Sequence, residues 1–390
     1  MQTVRLIHGK HHRVLEGHPW VYKTELEQQY ALPPGEMVRV VDYKNRFLGV
    51  GYYNSNSQIA VRLMSFNEEE INYDWLKNKI ERANLYRQRV VANTDSYRLI
   101  YGEADQIPGL IVDRFGDYLV LQSLTFGIEK LKPLIVEALM EVIKPKGIYE
   151  RSDVQVREKE GLPLVTGLLA GEVPELVIIN ENGFKFSVNI KEGHKTGYFL
   201  DQRENRLALK PFVSGKTVLD CFCHTGAFSV YAAGFGAREV IGVDISAEAI
   251  IRAQENAVLN GFNDRIYFIE ANCFDYLREL EREKAKFDVV ILDPPAFTKS
   301  KKALEGALRG YKEINLRALK LLKEDGILVT SSCSYHLTEE LFWEVIADAA
   351  LDAKKRVRII EARRQAKDHP MLLSSPETYY LKYFILQVIS

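Results

Sequence analysis

The chain has 390 residues, 46% of them hydrophobic and 27% charged, with a formal net charge of −1. This balance is typical of a globular protein with room for two or three cored domains. Residues 1–13 lack an apolar signal core, and no stretch is apolar for long enough to span a bilayer, so we expect a cytoplasmic protein without a membrane partner.

Residues 1–66 contain short strand-like runs at 37–41, 47–53 and 59–64, separated by turn signals such as Pro33-Pro34-Gly35. We interpret this segment as a small β-barrel domain. Residues 67–183 begin with helical spacing over 67–93 and continue with strands at 97–101, 110–113 and 118–122, a helix at 128–143 and a strand at 147–150. This order predicts a small central α+β domain.

In residues 184–390, strands alternate with amphipathic helices, which is typical of right-handed βαβ units in a doubly wound parallel sheet of the α/β class. The predicted strands are 216–222, 239–244, 266–270, 287–292 and 326–330, and the predicted helices are 225–235, 247–260, 275–284 and 304–322. Such a sheet binds its ligand at the carboxyl ends of the strands.

The loop after the first of these strands starts at Asp220 and lacks the G-x-G-x-x-G pattern that cradles a pyrophosphate. Asp244 ends the second strand, where a carboxylate can bind a ribose diol, a group that NAD and S-adenosylmethionine share. Because the phosphate cradle is missing, we expect S-adenosylmethionine. Asp220 or a neighbouring group can hold its ammonium, and Asn272 is placed to bind the adenine edge. The predicted cofactor-binding residues are Gln202, Arg203, Asp220, Phe222, Thr225, Gly226, Asp244, Ile245, Asn272, Cys273 and Asp293.

Asp293-Pro294-Pro295-Ala296-Phe297 follows the fourth strand and predicts a rigid corner that binds a planar heterocycle. We expect Pro294, Pro295 and Phe297 to contact the substrate. Cys333 follows the fifth strand. A carboxylate that holds a ring nitrogen and a thiol that attacks a ring carbon are the groups that activate a pyrimidine.

Two further patterns concern charge and cysteine. Between residues 298 and 323 lie eight basic residues (299, 301, 302, 309, 312, 317, 320 and 323) and two acidic ones, which predicts a basic surface for nucleic acid beside this corner.

The four cysteines include no C-x-x-C pair, so we expect neither a metal site nor a disulfide framework.

These motifs, together with segments 17–22, 102–105, 195–203 and 332–335, resemble the bacterial 23S ribosomal RNA large-subunit methyltransferases that carry an amino-terminal PUA domain, over nearly the full chain. The resemblance implies a PUA barrel at 1–66, a central domain at 67–183 and a Rossmann-like class I methyltransferase domain at 184–390. It also implies S-adenosylmethionine as cofactor and 23S ribosomal RNA as partner. Ala296 stands where cytosine-5 RNA methyltransferases generally carry a first cysteine, so only Cys333 remains, as in the PUA-containing members.

The implied reaction is methylation of cytosine carbon 5, with Cys333 as the nucleophile, Asp293 as the group that holds the base, and Lys195 as a candidate for favouring the thiolate. Two alternatives stay open: guanine-N7 methylation, which needs no nucleophile, and a non-catalytic RNA-binding assembly factor. Exocyclic-amine methylation is disfavoured because Ala296 separates the prolines from the aromatic residue. The oligomeric state, a homodimer included, stays open.

Overall fold

The computed structural model describes residues 1–193, 196–298 and 303–389, which form two compact units. The first unit comprises residues 1–179, 188–200 and 367–378, and the second comprises residues 180–187, 201–366 and 379–390. Within the described residues, no helix combines the length and the apolar character that crossing a membrane requires.

The first unit begins with a five-stranded sheet in the order β1-β3-β4-β5-β2. Its elements are β1 (Gln2–Arg5), α1 (His12–Leu15), β2 (Trp20–Tyr22), β3 (Glu36–Val41), β4 (Phe47–Tyr53) and β5 (Ile59–Ser65). The three predicted strands are confirmed. The short strands β1 and β2 were not predicted, because three or four residues show too little alternation to be recognised.

A second five-stranded sheet, in the order β10-β9-β8-β7-β6, follows in the same unit. Its elements are α2 (Tyr73–Val90), β6 (Ser96–Tyr101), β7 (Leu110–Phe115), β8 (Tyr118–Ser123), α3 (Phe126–Val142), β9 (Gly147–Ser152), α4 (Val156–Glu160) and β10 (Val165–Gly171). The Asn72 side chain caps α2 by accepting a hydrogen bond from Trp75 N, which explains why this helix begins later than residue 67.

The two sheets of this unit share a buried interface. The Tyr52 hydroxyl donates to Pro108 O at 2.7 Å, and the buried Glu160 carboxylate accepts hydrogen bonds from Asn54, Ser57 and Arg62. Removing residues 1–65 would therefore expose buried polar and apolar groups of the following sheet. The three-domain division at residues 66 and 183 stays a prediction.

Next along the chain, β11 (Leu176–Glu181) pairs with β12 (Phe184–Asn189), and neither strand was predicted. The second unit then contains α5 (Arg203–Leu207), β13 (Thr217–Cys221), α6 (Ala227–Gly234), β14 (Glu239–Asp244), α7 (Ala247–Leu259), β15 (Ile266–Glu270), α8 (Cys273–Arg282), β16 (Phe287–Leu292), α9 (Leu304–Leu321), β17 (Leu322–Ser332), α10 (Glu339–Asp352), β18 (Arg356–Arg363) and β19 (Lys382–Ile389).

Its seven strands have the order β15-β14-β13-β16-β17-β19-β18. The predicted α/β class is confirmed, and strands β13 to β17 are parallel as expected. The sheet also includes β18 and β19, which were not predicted, and β19 runs antiparallel to both of its neighbours. Because the strand order reverses beside β13, the carboxyl ends of β13, β14 and β16 frame a crevice at one edge of the sheet.

Candidate functional site

The loop after β13 is bent by three residues with positive φ: Phe222 at 62°, His224 at 49° and Gly226 at 76°. Phe222 and His224 are not glycines, so this conformation is strained and must be held by its surroundings. Phe222 N lies 3.2 Å from Cys273 Sγ, and His224 N donates to Asp244 Oδ2 at 2.9 Å. The loop is thus fixed by side chains from the two neighbouring strand ends.

Asp220 lies fully buried at the base of this loop. Ser229 Oγ donates to its Oδ2 at 2.6 Å, whereas Oδ1 is buried and has no hydrogen-bond partner among the described residues. Burial and, to a lesser extent, the nearby Asp293 together raise the pKa of Asp220 to about 7, against the hydrogen bond from Ser229, which lowers it. An unsatisfied buried carboxylate oxygen is suited to a cationic ligand, such as an ammonium group.

Asp244 is half-buried at the end of β14, and its carboxylate orders the backbone on both sides. Besides bonding His224 N through Oδ2, it accepts a hydrogen bond from Ser246 N at 3.0 Å through Oδ1. Each carboxylate oxygen can accept a second bond, so the group can still receive two hydroxyls of a ribose. The next residue, Ile245, is 67% exposed and offers an apolar surface for a ring.

Asn272 and Cys273 follow β15 and start α8. Asn272 Oδ1 accepts a hydrogen bond from Phe274 N at 2.9 Å, so the exposed side chain caps the helix and its amide N–H groups stay available. Cys273 is buried, and its thiol lies 3.4 Å from Val243 O as well as near Phe222 N. Through these contacts, Cys273 supports the loop after β13 from the interior of the second unit.

Asp293 lies at the end of β16, next to β17 in the sheet. Its Oδ1 accepts hydrogen bonds from Gln202 Nε2 at 2.9 Å and from Ser331 Oγ. Gln202 is in turn held by Asn205, whose Nδ2 donates to Gln202 Oε1 at 2.6 Å. Burial raises the pKa of Asp293 to about 6. The carboxyl group is thus oriented through one oxygen, and a minor fraction of it, about one tenth, is protonated at pH 7.

The residues that follow Asp293 differ in their surroundings. Pro294 is buried and Pro295 is exposed. The Phe297 ring is half-buried and packs among aromatic rings, with centroids 4.5 Å from Tyr311, 5.7 Å from Phe274 and 6.3 Å from Phe222. This packing anchors the corner to the core of the second unit.

Cys333 follows β17, and since β16 and β17 are adjacent and parallel, Asp293 and Cys333 stand at neighbouring strand ends. All four cysteines lie in the described part of the chain. Cys221, Cys223 and Cys273 are buried, whereas Cys333 is half-buried. It is therefore the most accessible thiol. The signals that located it were the strand end and its spacing from the Asp-Pro-Pro motif.

Three predicted residues lie apart from these contacts. Arg203 is buried at the start of α5, with Nη2 3.4 Å from Glu204 Oε1. Thr225 accepts a hydrogen bond through its carbonyl from Asn256 Nδ2 at 2.9 Å. Lys195 lies outside the described residues.

Of the predicted basic surface at residues 298–323, the structure describes five of the eight basic residues, because Lys299, Lys301 and Lys302 lie outside the described residues. These five side chains pair with carboxylates, several of them on other elements: Arg309 with Glu305, Lys312 with Asp352, Arg317 with Glu281 and Glu313, Lys320 with Glu281, and Lys323 with Asp288. The carboxylates Glu281, Asp288 and Asp352 lie outside the segment in which the charges were counted, so the described part carries less unpaired positive charge than that count indicates. The basic surface for nucleic acid stays a prediction.

Several supporting residues were not identified from the sequence. Ser331, Tyr311 and Asn205 are polar residues in ordinary strand or helix patterns, and nothing in their spacing marks them. Lys382 is different, because it is a lysine inside the apolar run 381–386, and it is only 3% exposed. A charged residue at a buried strand position is a signal that could have been used.

Comparisons with known proteins agree with this geometry. Residues 4–66 match the PUA-like domain family, and residues 158–364 match the S-adenosylmethionine-dependent methyltransferase family. The chain is 44% identical to ribosomal RNA large subunit methyltransferase I of Shewanella denitrificans and 43% identical to that of Vibrio cholerae, each over 99% of both chains. A crystal structure described as a methyltransferase complexed with SAH has the same fold, with a TM-score of 0.88 and 24% identity over 100% of both chains.

Proposed function

Because the chain belongs to the ribosomal RNA large subunit methyltransferase I family, we propose that it methylates carbon 5 of a cytosine in 23S ribosomal RNA through a covalent adduct at Cys333. The chain is an S-adenosylmethionine-dependent ribosomal RNA methyltransferase, and the proposal concerns the target atom and the mechanism. The residues at the ends of β13, β14 and β15 fit this cofactor: Asp220 for its ammonium, Asp244 for its ribose, and Ile245 with Asn272 for its adenine.

The observation that carries the proposal is the placement of a carboxyl group and an accessible thiol at adjacent strand ends. The pairing of Leu292 with Thr330 puts Asp293 and Cys333 just beyond the same edge of the sheet. Transfer to guanine N7 needs no nucleophile from the protein, because that nitrogen is already nucleophilic. Cytosine carbon 5 needs one, and Cys333 is the thiol available for it.

In the proposed reaction, the Cys333 thiolate adds to carbon 6 of the cytosine and converts the ring into an enamine that is nucleophilic at carbon 5. When bound, S-adenosylmethionine would supply the methyl group that carbon 5 takes up with the electron pair of the enamine, and S-adenosylhomocysteine would be the leaving group. A base then removes the proton from carbon 5, the carbon–sulfur bond breaks, and the thiolate leaves with the electron pair while the ring regains its double bond. The base stays unassigned.

Asp293 has the properties needed to activate the ring during addition. With its pKa raised to about 6, a fraction of the carboxyl groups carry a proton near neutral pH and can donate it to the ring nitrogen next to the exocyclic amine. The hydrogen bonds from Gln202 and Ser331 hold Oδ1, which fixes the plane of the carboxyl group. Negative charge that develops on the ring is thereby stabilised by a preoriented donor.

We place RNA docking on a basic and aromatic patch beside the first sheet, in α1 and the segments that follow β1 and β3, formed by His8, Lys10, His12, Tyr43 and Lys44. The His8 and Tyr43 rings lie 4.5 Å apart, and Lys44 Nζ lies 5.4 Å from the centre of the Tyr43 ring. Lys10, His12 and Lys44 are exposed. Cations for phosphates beside rings for base stacking are the usual components of a surface that binds RNA.

The deciding experiment uses 23S ribosomal RNA fragments that contain 5-fluorocytosine, incubated with the full-length protein and S-adenosylmethionine. Fluorine cannot leave as a proton, so the adduct persists and should appear as a denaturation-resistant protein–RNA band. Cys333→Ser should give no such band, and Cys221→Ala, which removes a buried thiol outside the predicted site residues, should still give it. Turnover by Cys333→Ser together with no band for the wild type would refute the covalent mechanism and favour guanine N7.

A further inference from the structure

A buried network of hydroxyl groups connects the turn that carries Cys333 to α9. Ser332 Oγ donates to the Tyr311 hydroxyl at 2.9 Å, and the same hydroxyl lies 3.0 Å from Ser334 Oγ. Ser334 N also donates to Ser332 Oγ at 3.2 Å. Both neighbours of Cys333 are therefore fixed by α9, while Cys333 itself stays half-buried.

A buried lysine holds the same turn from β19. Lys382 pairs with Ser332 across the sheet and is 3% exposed. Its Nζ donates to Ser334 O at 2.7 Å and to Tyr380 O at 2.8 Å. Two of its three ammonium protons are thus used on carbonyl groups. No carboxylate lies within ion-pairing distance of Nζ in the described part of the chain.

A buried ammonium without a paired carboxylate is unfavourable unless another anion compensates for it. We propose that the compensating anion is the Cys333 thiolate, and that Lys382 is a positioning residue that keeps Cys333 ionised and its turn in place. This inference rests on the proposed role of Cys333 as the nucleophile. It assigns to a described lysine the role that the sequence suggested for Lys195.

The electrostatics around Lys382 agree with this assignment. Burial lowers the pKa of Lys382 to about 8, while negative charge on Cys333 and then on Glu339 raises it. The interaction is reciprocal, so an ammonium at this position favours the ionised thiol. The pKa of Lys382 also places its protonated form in excess at neutral pH.

Several other titratable groups of the described residues lie near the turn. Burial raises the pKa of Tyr311, so its hydroxyl stays neutral. Glu339, at the start of α10, accepts a hydrogen bond from Tyr379, and Asp293 accepts one from Ser331. As anions these two carboxylates disfavour a thiolate, and the ammonium of Lys382 offsets them. His336, whose ring lies 5.3 Å from that of Tyr335, is a second residue of this turn with a basic side chain.

The test measures the rate at which iodoacetamide alkylates Cys333 between pH 5.5 and 9.5 in the full-length protein, with the site of alkylation mapped by mass spectrometry. The other three thiols are buried, so the reaction reports Cys333. Lys382→Met keeps the length of the side chain without its charge, and we expect the midpoint of the rate profile to move about one pH unit or more upward. Lys382→Arg keeps the charge, and its midpoint should stay near that of the wild type.

Tyr311→Phe is the matched control, because it removes the hydroxyl group that bonds Ser332 and Ser334 without changing the charge near Cys333. It should slow alkylation less than Lys382→Met and leave the midpoint near that of the wild type. Calorimetric titration with S-adenosylmethionine checks that each variant is folded. If Lys382→Met proves unstable, Lys382→Gln takes its place. A midpoint that is the same in the wild type and a neutral variant would overturn the proposal.

The same variants separate this inference from the proposed function. Alkylation needs no RNA, whereas the adduct with 5-fluorocytosine requires the covalent mechanism. A shifted midpoint without any adduct would leave Lys382 as the partner of Cys333 and refute the chemistry. An adduct with an unshifted midpoint would support the covalent mechanism and refute the proposed role of Lys382. If the midpoint shifts and the adduct also forms, methyl transfer by Lys382→Met should recover as the pH rises above 8. A purely structural defect would not produce this recovery.

Discussion

The two ends of the crevice at the seven-stranded sheet are built in different ways. At the proposed cofactor end, Asp220, Asp244 and Asn272 each end or follow a strand, and their partners lie a few residues away or at another strand end. At the proposed catalytic end, the surroundings of Asp293 and Cys333 include Gln202, Tyr311 and Lys382, which come from remote segments. Local sequence thus specifies the first end, and long-range packing specifies the second.

This difference predicts that the two ends can be disabled separately. Substitutions at the cofactor end should weaken binding of the cofactor, whereas substitutions at the catalytic end should slow the reaction with the cofactor still bound. The following experiments test that separation.

The largest effect is expected for Cys333→Ser. Because a hydroxyl is a far poorer nucleophile than a thiolate at neutral pH, single-turnover methylation of 23S ribosomal RNA should fall by about 1,000-fold or more. The affinity for S-adenosylmethionine, measured by calorimetry, should stay near the wild-type value. A parallel loss of cofactor affinity would show that the two ends are not independent.

For Asp244→Ala we expect the opposite pattern, in which cofactor affinity falls and the rate at saturating cofactor does not. Loss of hydrogen bonds to a charged group costs about 1.5–3 kcal/mol, so cofactor affinity should fall about 10- to 100-fold. At saturating cofactor, the single-turnover rate should recover to near the wild-type value. NAD should bind neither protein, and tight binding of NAD by the wild type would contradict the assignment of the pocket.

A double charge reversal on the first sheet tests whether RNA docking is separate from both ends. Lys10→Glu with Lys44→Glu should weaken RNA binding about tenfold and flatten its dependence on salt, because two phosphate contacts are lost. Lys185→Glu with Lys210→Glu, at exposed positions of the second unit, provides a control with the same change in net charge. Equal losses for both pairs would indicate a general charge effect and exclude the patch.

The smallest effect is expected for the pH dependence of the affinity for S-adenosylmethionine. The pKa of Asp220 is raised to about 7, and a cationic ligand prefers the ionised carboxylate. Affinity for S-adenosylmethionine should therefore rise about fourfold from pH 6.5 to pH 8 as the free protein loses the Asp220 proton, and then level off. Asp220→Asn should bind more weakly and remove most of this dependence. An unchanged pH profile in Asp220→Asn would assign the dependence to another group.

Asp220 should also change how the stability of the folded protein depends on pH. Its pKa is higher in the folded protein than in the unfolded chain, so its contribution is fully present below pH 4 and is lost as the pH rises through about 7. Thermal melts of the wild type and Asp220→Asn without cofactor should therefore converge at low pH and diverge above neutrality, with the wild type less stable there.

The sequence by itself determined the strand and helix alternation of the second unit and the residues at the strand ends. It could do so because buried parallel strands are continuous apolar runs, and the residue that ends such a run must face the carboxyl edge of the sheet. The residues proposed to bind S-adenosylmethionine, and the positions of Asp293 and Cys333 at neighbouring strand ends, could be predicted in this way. The antiparallel strands β18 and β19 were missed, since they follow no βαβ pattern.

Only the tertiary structure decided which side chains support the site and which charges are free. In the described part of the basic run at 298–323, Lys312, Lys320 and Lys323 pair with carboxylates from other elements. Lys382 contacts the turn that carries Cys333 because β19 pairs with β17 in one register. Ion pairs, burial and cross-strand neighbours depend on contacts between residues far apart in the chain. A periodic pattern fixes which face of an element is buried, but not which partner it meets there.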